Sequence, residues 1–348
     1  MTSRVDNERG IALLLVVFIV SLATVIVFDL GVSSRLDQRI SRSFTESVQA
    51  EFILKSELNL ARILLEAPKL DGIQEDWLNE PWALIGSAPA LPISGFAGNP
   101  RLMIVDVAGK IDLNAVAPPA GTVAPPTGSA SNPGEQLALF WKNAMRELLT
   151  KAGFVREQYE ADLYRTPGNI AYDPADQVAV LQDWIDEDKR SYSSASFDGD
   201  GFESQAPDGM FLNRRLKSLG EMLLVPGFTP ERAARIGRFV TVSTLPSTAQ
   251  RQINVNTAPI EVLLAIGFPE QQAIEIIQQR ANLPITQAIL NTLVEGDPQL
   301  RQVTRVTSTE FQVLAQVAMP TVTRWLEARV GVSGRATRRS RIMWKKFY

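Results

Sequence analysis

No cysteine and no histidine occur among the 348 residues of this chain. The first absence excludes disulfides and thiol nucleophiles. The two together exclude Cys/His zinc sites and any Ser-His-Asp triad. Only carboxylate, Lys, Tyr or Ser/Thr chemistry is left. A chain without cysteine suits an oxidising compartment, where stray thiols are a liability. A dominant charge is also missing. Lys and Arg total 35 against 38 Asp and Glu, for a net charge of −3. That balance supplies no global attraction to nucleic acid. Hydrophobic residues make up 45% and charged residues 21%, so the chain is not a disordered polyelectrolyte. At roughly 150 residues per domain its length allows about two globular domains plus extras.

Charge is absent altogether from Ile11 to Phe28, and Ser21 and Thr24 are the only polar members of that run. Eighteen residues at 1.5 Å each make a helix of about 27 Å, close to a hydrocarbon core of roughly 30 Å. Three readings compete. The run is a plain membrane anchor, a secretory signal peptide, or the apolar helix behind a prepilin-type leader. The signal-peptide reading fits least, because its apolar region is normally 7–15 residues and ends in a small-x-small site. In the leader reading a peptidase cuts between Gly10 and Ile11. Gly10 has no side chain, so the peptidase can approach the backbone there.

Neither Gly nor Pro interrupts residues 32–67. Leu36, Ile40, Phe44, Val48 and Phe52 recur every four residues, and Ala61 and Leu65 extend the series. The spacing predicts one apolar helix face packed on a sheet, with Pro68 as the stop. A continuous helix over 11–67 would be about 85 Å long.

Further along, RLMIVDVAGKIDLN alternates around Gly109-Lys110 and reads as a β-hairpin. Residues 118–134 are rich in proline and glycine and read as a loop. From Glu135 the apolar spacing turns helical and ends at Gly153, and VAVLQDWIDEDK reads as another short helix. Glu221-Met-Leu-Leu-Val-Pro-Gly-Phe then repeats, 40 residues on, as Glu261-Val-Leu-Leu-Ala-Ile-Gly-Phe. Each copy reads as helix, glycine turn, helix. Ser218 with Glu221 predicts a capping box. Thr229-Pro230 opens the next helix. Thr257 and Pro259 open the helix of the second copy, and Gly267 can end it in the left-handed conformation. The copies resemble helix-hairpin-helix modules, and INVNTAPIEVL is similar to the opening of a DNA-uptake receptor module. Phenylalanine in both turns, at Phe228 and Phe268, argues for packing rather than for phosphate contact. VTRVTSTEFQVLAQVAM reads as two strands, with Phe311, Val313, Ala315 and Val317 on one face. The basic tail RATRRSRIMWKKFY reads as a last strand with solvated cations beside Ile342 and Trp344, or as an anionic-surface patch.

The Arg9-Gly10-Ile11 junction before a long apolar helix resembles the type IV pilin and pseudopilin class. Most members of that class carry Glu as the fifth mature residue, where this chain has Leu15, and within the class that absence is characteristic of the K type. With GKIDLN, WIDED, NRRLKSLGEMLLVPGF and INVNTAPIEVL in order, nearly the whole chain resembles the K-type minor pseudopilin of type II secretion (general secretion pathway protein K). The resemblance implies an α+β pilin-like fold: a long N-terminal α-helix packed on an antiparallel β-sheet, with a large inserted all-α domain of helix-hairpin-helix-like (SAM-like) units. It divides the chain into a leader (1–10), a transmembrane part (11–31) and a pilin-like helix with first strands (32–117). The loop (118–134) follows, then the inserted domain (135–300, repeats at 218–240 and 257–281) and C-terminal strands (301–348). It further implies cleavage at Gly10/Ile11 by a prepilin peptidase, N-methylation of Ile11, and a single pass through the bacterial inner membrane with the bulk in the periplasm. The implied role is non-enzymatic: tip assembly of the pseudopilus with the H-, I- and J-type minor pseudopilins and the major pseudopilin, supporting export of folded periplasmic proteins. Nucleic acid is not among the implied partners. The alternative is a membrane-tethered helix-hairpin-helix DNA-uptake receptor.

Acids cluster in one stretch. Asp183, Asp186 and Asp188 end a short helix, and ten residues on FDGDGFE supplies Asp198, Asp200 and Glu203 around two glycines. Calcium takes six to eight oxygens, and glycines let a loop curl around it. Calcium in an acidic stretch after a WIDxD segment is also what the K-type resemblance implies. The expected ligands are Asp186, Asp188, Asp198, Asp200 and Glu203, with Asp183 in reserve. A carboxylate-dependent hydrolase is the competing use of these acids, yet no base, nucleophile or phosphate loop accompanies them.

Overall fold

The computed structural model describes residues 3–69, 72–87, 98–117, 133–158, 171–186, 211–243, 251–334 and 338–348, with 3–10, 133, 135, 157–158 and 171 as backbone only. Helix α1 runs from Ser3 to Glu66 without a break, about 95 Å at 1.5 Å per residue. Among the described residues it is the helix long and apolar enough to cross a membrane, and none of its apolar segment is buried by the other described residues. Thr24 stays compatible with that setting because its hydroxyl donates to the carbonyl of Val20 at 2.8 Å.

The C-terminal part of α1 lies on a four-stranded antiparallel sheet. Its strands are β1 (Asn99–Asp106), β8 (Glu310–Ala318), β9 (Thr323–Ser333) and β10 (Arg339–Phe347), in that order across the sheet. Ile104 pairs with Val313, and Val313 with Ala328, so one face of three strands is apolar in register. The alternation predicted for Phe311, Val313, Ala315 and Val317 holds, and all four are buried. Ala50, Leu54, Leu58, Ala61 and Leu65 of α1 fill the other side of this core. Trp82, from the one-turn helix α2 (Pro81–Leu84), closes it edge-on against Phe311 with ring centroids 5.0 Å apart.

The helix face is the predicted one at Ala61 and Leu65, which are both buried, and differs from it earlier along α1. Leu36, Ile40, Phe44 and Phe52 are more than half exposed. A step of four residues advances about 400° in a helix of 3.6 residues per turn, so such a series winds about 40° per step off the face it began on. The buried set mixes steps of four and three and stays on target. The basic tail forms β10, the edge of the sheet, where Arg339, Arg341 and Lys345 are exposed and charged side chains discourage pairing with another chain.

Between β1 and β8 the chain builds a second unit with its own apolar core, drawing on residues from Ile111 to Val306. The predicted hairpin at Gly109-Lys110 does not form. A single 3-10 turn, Val107–Gly109, follows β1. Strand β2 (Ile111–Asp112) then leaves the sheet and pairs in parallel with β5 (Val240–Thr241). Gly109 is needed for contact rather than for a reversal: a Cβ there would sit 3.0 Å from the carbonyl oxygen of Thr257. The unit's helices include α3 (Pro133–Lys151) and α4 (Pro174–Ile185). Strands β3 (Glu157–Gln158) and β4 (Ala171–Tyr172) pair between them. Helices α5 (Pro230–Ile236), α6 (Ile260–Ala265) and α7 (Glu270–Arg280) belong to the repeat. Strand β6 (Ile253–Asn254) pairs in parallel with β7 (Thr304–Arg305).

The repeat folds largely as its residues direct. Thr229 caps α5, accepting from the amide of Arg232, with Pro230 in the first turn. Gly227 and Gly267 both take positive φ, at 84° and 111°. The Ser218 capping box does not form; Glu221 instead accepts from the amide of Lys217 and pairs with Arg214 at 2.9 Å, and residues 219–224 wind as a 3-10 helix. Thr257 does not cap α6 either, because its hydroxyl is drawn to Asp106.

Candidate functional site

Three places carry the chemistry that the residues predict. The first is the N-terminal junction. Gly10 and Ile11 both lie within α1, and the Ile11 side chain is exposed at the start of the apolar segment.

The second is the end of α4. Asp173 caps this helix through the amides of Ala175 and Asp176, and Asp176 returns a bond to the Asp173 amide. That capping box sits four residues ahead of the predicted helix start, and Asp-Pro-x-Asp is the sequence signal for it. At the other end Asp183 and Asp186 are both buried, one turn apart. Asp186 ends the helix in extended backbone, its amide donating to the carbonyl of Gln182 at 3.0 Å. Two buried carboxylates at the negative end of a helix dipole favour a cation beside them. Asp188, Asp198, Asp200 and Glu203 lie outside the described residues. Among the described residues no three metal-binding side chains come together.

The third place, which sequence reasoning did not single out, is the seam between sheet and helical unit. Asp106, at the end of β1, is buried and accepts from the amide of Ala108 at 2.8 Å, from the hydroxyls of Thr257 and Ser308, and from Asn254 Nδ2 at 3.3 Å. Burial pushes its carboxyl above the usual range even against these donors. Asp76 accepts from the amide of Ser308 at 2.7 Å and pairs with Lys69 at 2.9 Å and Arg338 at 2.8 Å. On the far side of the turn, Asp112 pairs with Arg251, and Arg329 of β9 donates to Thr241 of β5 at 2.9 Å. The signal was present as polar residues beside apolar ones, Asp106, Asp112 and Asn254 in strands and Thr257 in the turn after β6.

The hairpin turns pack inward. Phe228 and Phe268 are both buried in the core of the helical unit. Arg232, behind the first turn, is also buried, donating to the carbonyls of Val155 at 2.8 Å and Tyr172 at 3.1 Å and lying over the ring of Phe154.

Residues 109–246 match the family described as type II secretion system (T2SS), protein K. The fold is similar to that of a chain in the crystal structure of the GspK-GspI-GspJ complex from the type 2 secretion system of enterotoxigenic Escherichia coli. The TM-score is 0.57 at 19% identity, over 88% of this chain and 99% of that one. No curated protein matches the chain.

Proposed function

We infer that this chain, whose residues 109–246 match the family described as type II secretion system protein K, is a minor pseudopilin that works at the tip of a pseudopilus. The observation that carries the reading is the joining of α1 to the sheet. One helix of about 95 Å is bare and apolar over its first part and packed on an antiparallel sheet over its last. Such a helix can sit in the inner membrane before assembly and in a filament afterwards, with the folded part in the periplasm. The helical unit between β1 and β8 adds bulk to one subunit, which suits an end position better than a repeating one.

Leu15 supports the same position. In a filament, a carboxylate at that place would neutralise the buried amine of the neighbour above, at less cost than leaving that charge unpaired. A subunit with no neighbour above has no such charge to meet. The partners in this reading are the I- and J-type minor pseudopilins, as in the complex of the similar structure, together with the H type and the major pseudopilin. A prepilin peptidase would cut between Gly10 and Ile11 and leave an N-methylated Ile11. The role is assembly, not catalysis. The buried phenylalanines of the hairpin turns weigh against the DNA-receptor alternative.

Calcium belongs to this reading as a structural ion. Asp183 and Asp186 fit it: they set two buried carboxylates at the head of the acidic stretch. Asp188, Asp198, Asp200 and Glu203 would complete the oxygen set. The ion would neutralise the charge of these acids.

Co-expression of the full chain with the I- and J-type minor pseudopilins of its own secretion system tests the role. A stable ternary complex is expected, with a mature mass beginning at Ile11. Separate elution of the three proteins, or an intact Met1 start, contradicts it. For calcium, chelation should lower the melting temperature of the chain, and calcium should restore it; coincident melting curves remove the ion from the account.

A further inference from the structure

Where β8 of the sheet meets the helical unit there is a partly enclosed cavity of about 40 Å³, room for a few waters or one small polyatomic ion. Its wall carries three groups that can only donate hydrogen bonds: the Lys110 ammonium, the Arg305 guanidinium and the indole N–H of Trp141. None of the three side chains makes a hydrogen bond or ion pair with another described residue. Trp141 is almost fully buried, its Nε1 is without a partner among the described residues, and so is Arg305 Nε. Burial depresses the basicity of both Lys110 and Arg305, the mark of cations held away from water.

Asp112 and Glu310 line the same cavity, and both are bonded to other groups. Asp112 pairs with Arg251 and accepts from the amides of Asn114 and Ser243. Glu310 accepts from the Ser243 hydroxyl at 3.0 Å and faces Arg329 Nη1 at 3.8 Å. Asp106 is held by its four donors. The wall therefore holds an excess of cations, Lys110, Arg251 and Arg305 against Asp112 and Glu310, with the Lys110 and Arg305 heads not bonded to either acid.

We propose that this cavity is a binding site for a single carboxylate group, held by Lys110, Arg305 and the Trp141 indole. A guanidinium presents a planar fork that matches the two oxygens of a carboxylate, whereas a spherical halide uses one bond of that fork. An ion here would tie β8 to β2, β6 and β7, the strands whose ends line the same space. The carboxylate is either a free small anion or the acidic side chain of a docked protein segment; both present the same head group.

The test uses the full chain in detergent, with an amine-acylating reagent and peptide mass spectrometry to follow Lys110. Formate should slow acylation of Lys110 at least fivefold and saturably, while exposed Lys217 keeps its rate. Sodium chloride at the same ionic strength should have little effect. N-acetylaspartate amide in place of formate separates the sources: protection by both probes assigns a side-chain carboxylate, and protection by formate alone assigns a free ion. R305Q should abolish the protection. An unchanged Lys110 rate in formate, or equal slowing by chloride, overturns the proposal, and both outcomes are read on the wild-type chain.

Discussion

The hydroxyl of Thr257 donates to the carboxylate of Asp106, joining the head of the second repeat to the last residue of β1. Ser308 and Asn254 meet the same carboxylate, so one acid gathers donors from both sides of the seam. D106A takes the acceptor from the Ser308 hydroxyl and the Ala108 amide and leaves Thr257 only a 3.4 Å bond to the carbonyl of Asn254, at about 1–3 kcal/mol for each. We expect a loss of at least 3 kcal/mol in denaturant unfolding of the full chain. A loss below about 0.5 kcal/mol, the level of an ordinary surface change, would show that the seam is held by apolar contact alone.

Glu57 faces the sheet from α1, and burial pushes its carboxyl from an ordinary 4.5 to about 8. The folded chain then holds a proton that the unfolded chain releases between those two values. The stability that Glu57 contributes is therefore fully present below pH 4.5 and is lost as pH rises towards 8, by at most about 1.4 kcal/mol per unit and by less where water screens the carboxyl. E57Q should leave stability unchanged at pH 4 and raise it by a few kcal/mol at pH 8, read from unfolding midpoints at the two pH values. A gain of equal size at both would contradict the assignment.

Gly227 and Gly267 separate two demands on a turn. Both have positive φ, but a Cβ on Gly227 would run into Gln177 Oε1, while no described residue beyond its chain neighbours lies within 4 Å of one on Gly267. G227A should cost about 2 kcal/mol or more, and G267A about 1 kcal/mol from backbone strain alone. Equal melting temperatures for the two variants would mean that Gln177 moves aside without cost.

The two apolar rows on α1 make opposite predictions. Leu54 is almost fully buried and Phe44 is exposed. L54A should destabilise the folded part by about 2–5 kcal/mol, and F44A by less than about 0.5 kcal/mol. Thermal unfolding of both variants checks the face, and the reverse order would restore the face that periodicity predicts.

Local pattern made part of this fold legible. Alternation exposed β8, unbroken helical spacing exposed α1, and Thr229-Pro230 marked the start of α5. What stayed hidden depends on distant partners. Strand β2 is two residues long and exists because Val240 and Thr241 lie beside it. Strand β9 alternates Leu326, Ala328, Val330 and Val332 towards the core, whereas Arg329 on its other face is buried only because Thr241 and Glu310 receive it, a pairing that local pattern does not reveal. Lys110 looked like a turn residue, and only the assembled seam puts it beside Arg305 and Trp141. The acids at 183 and 186 were legible as a cluster, but their burial follows from the packing of α4.

Position in the filament is the central claim, and immunogold labelling of isolated pseudopili with antibody to residues 135–300 tests it most directly. The account predicts label at one end of each filament and bare sides. Label spread evenly along the length would contradict it.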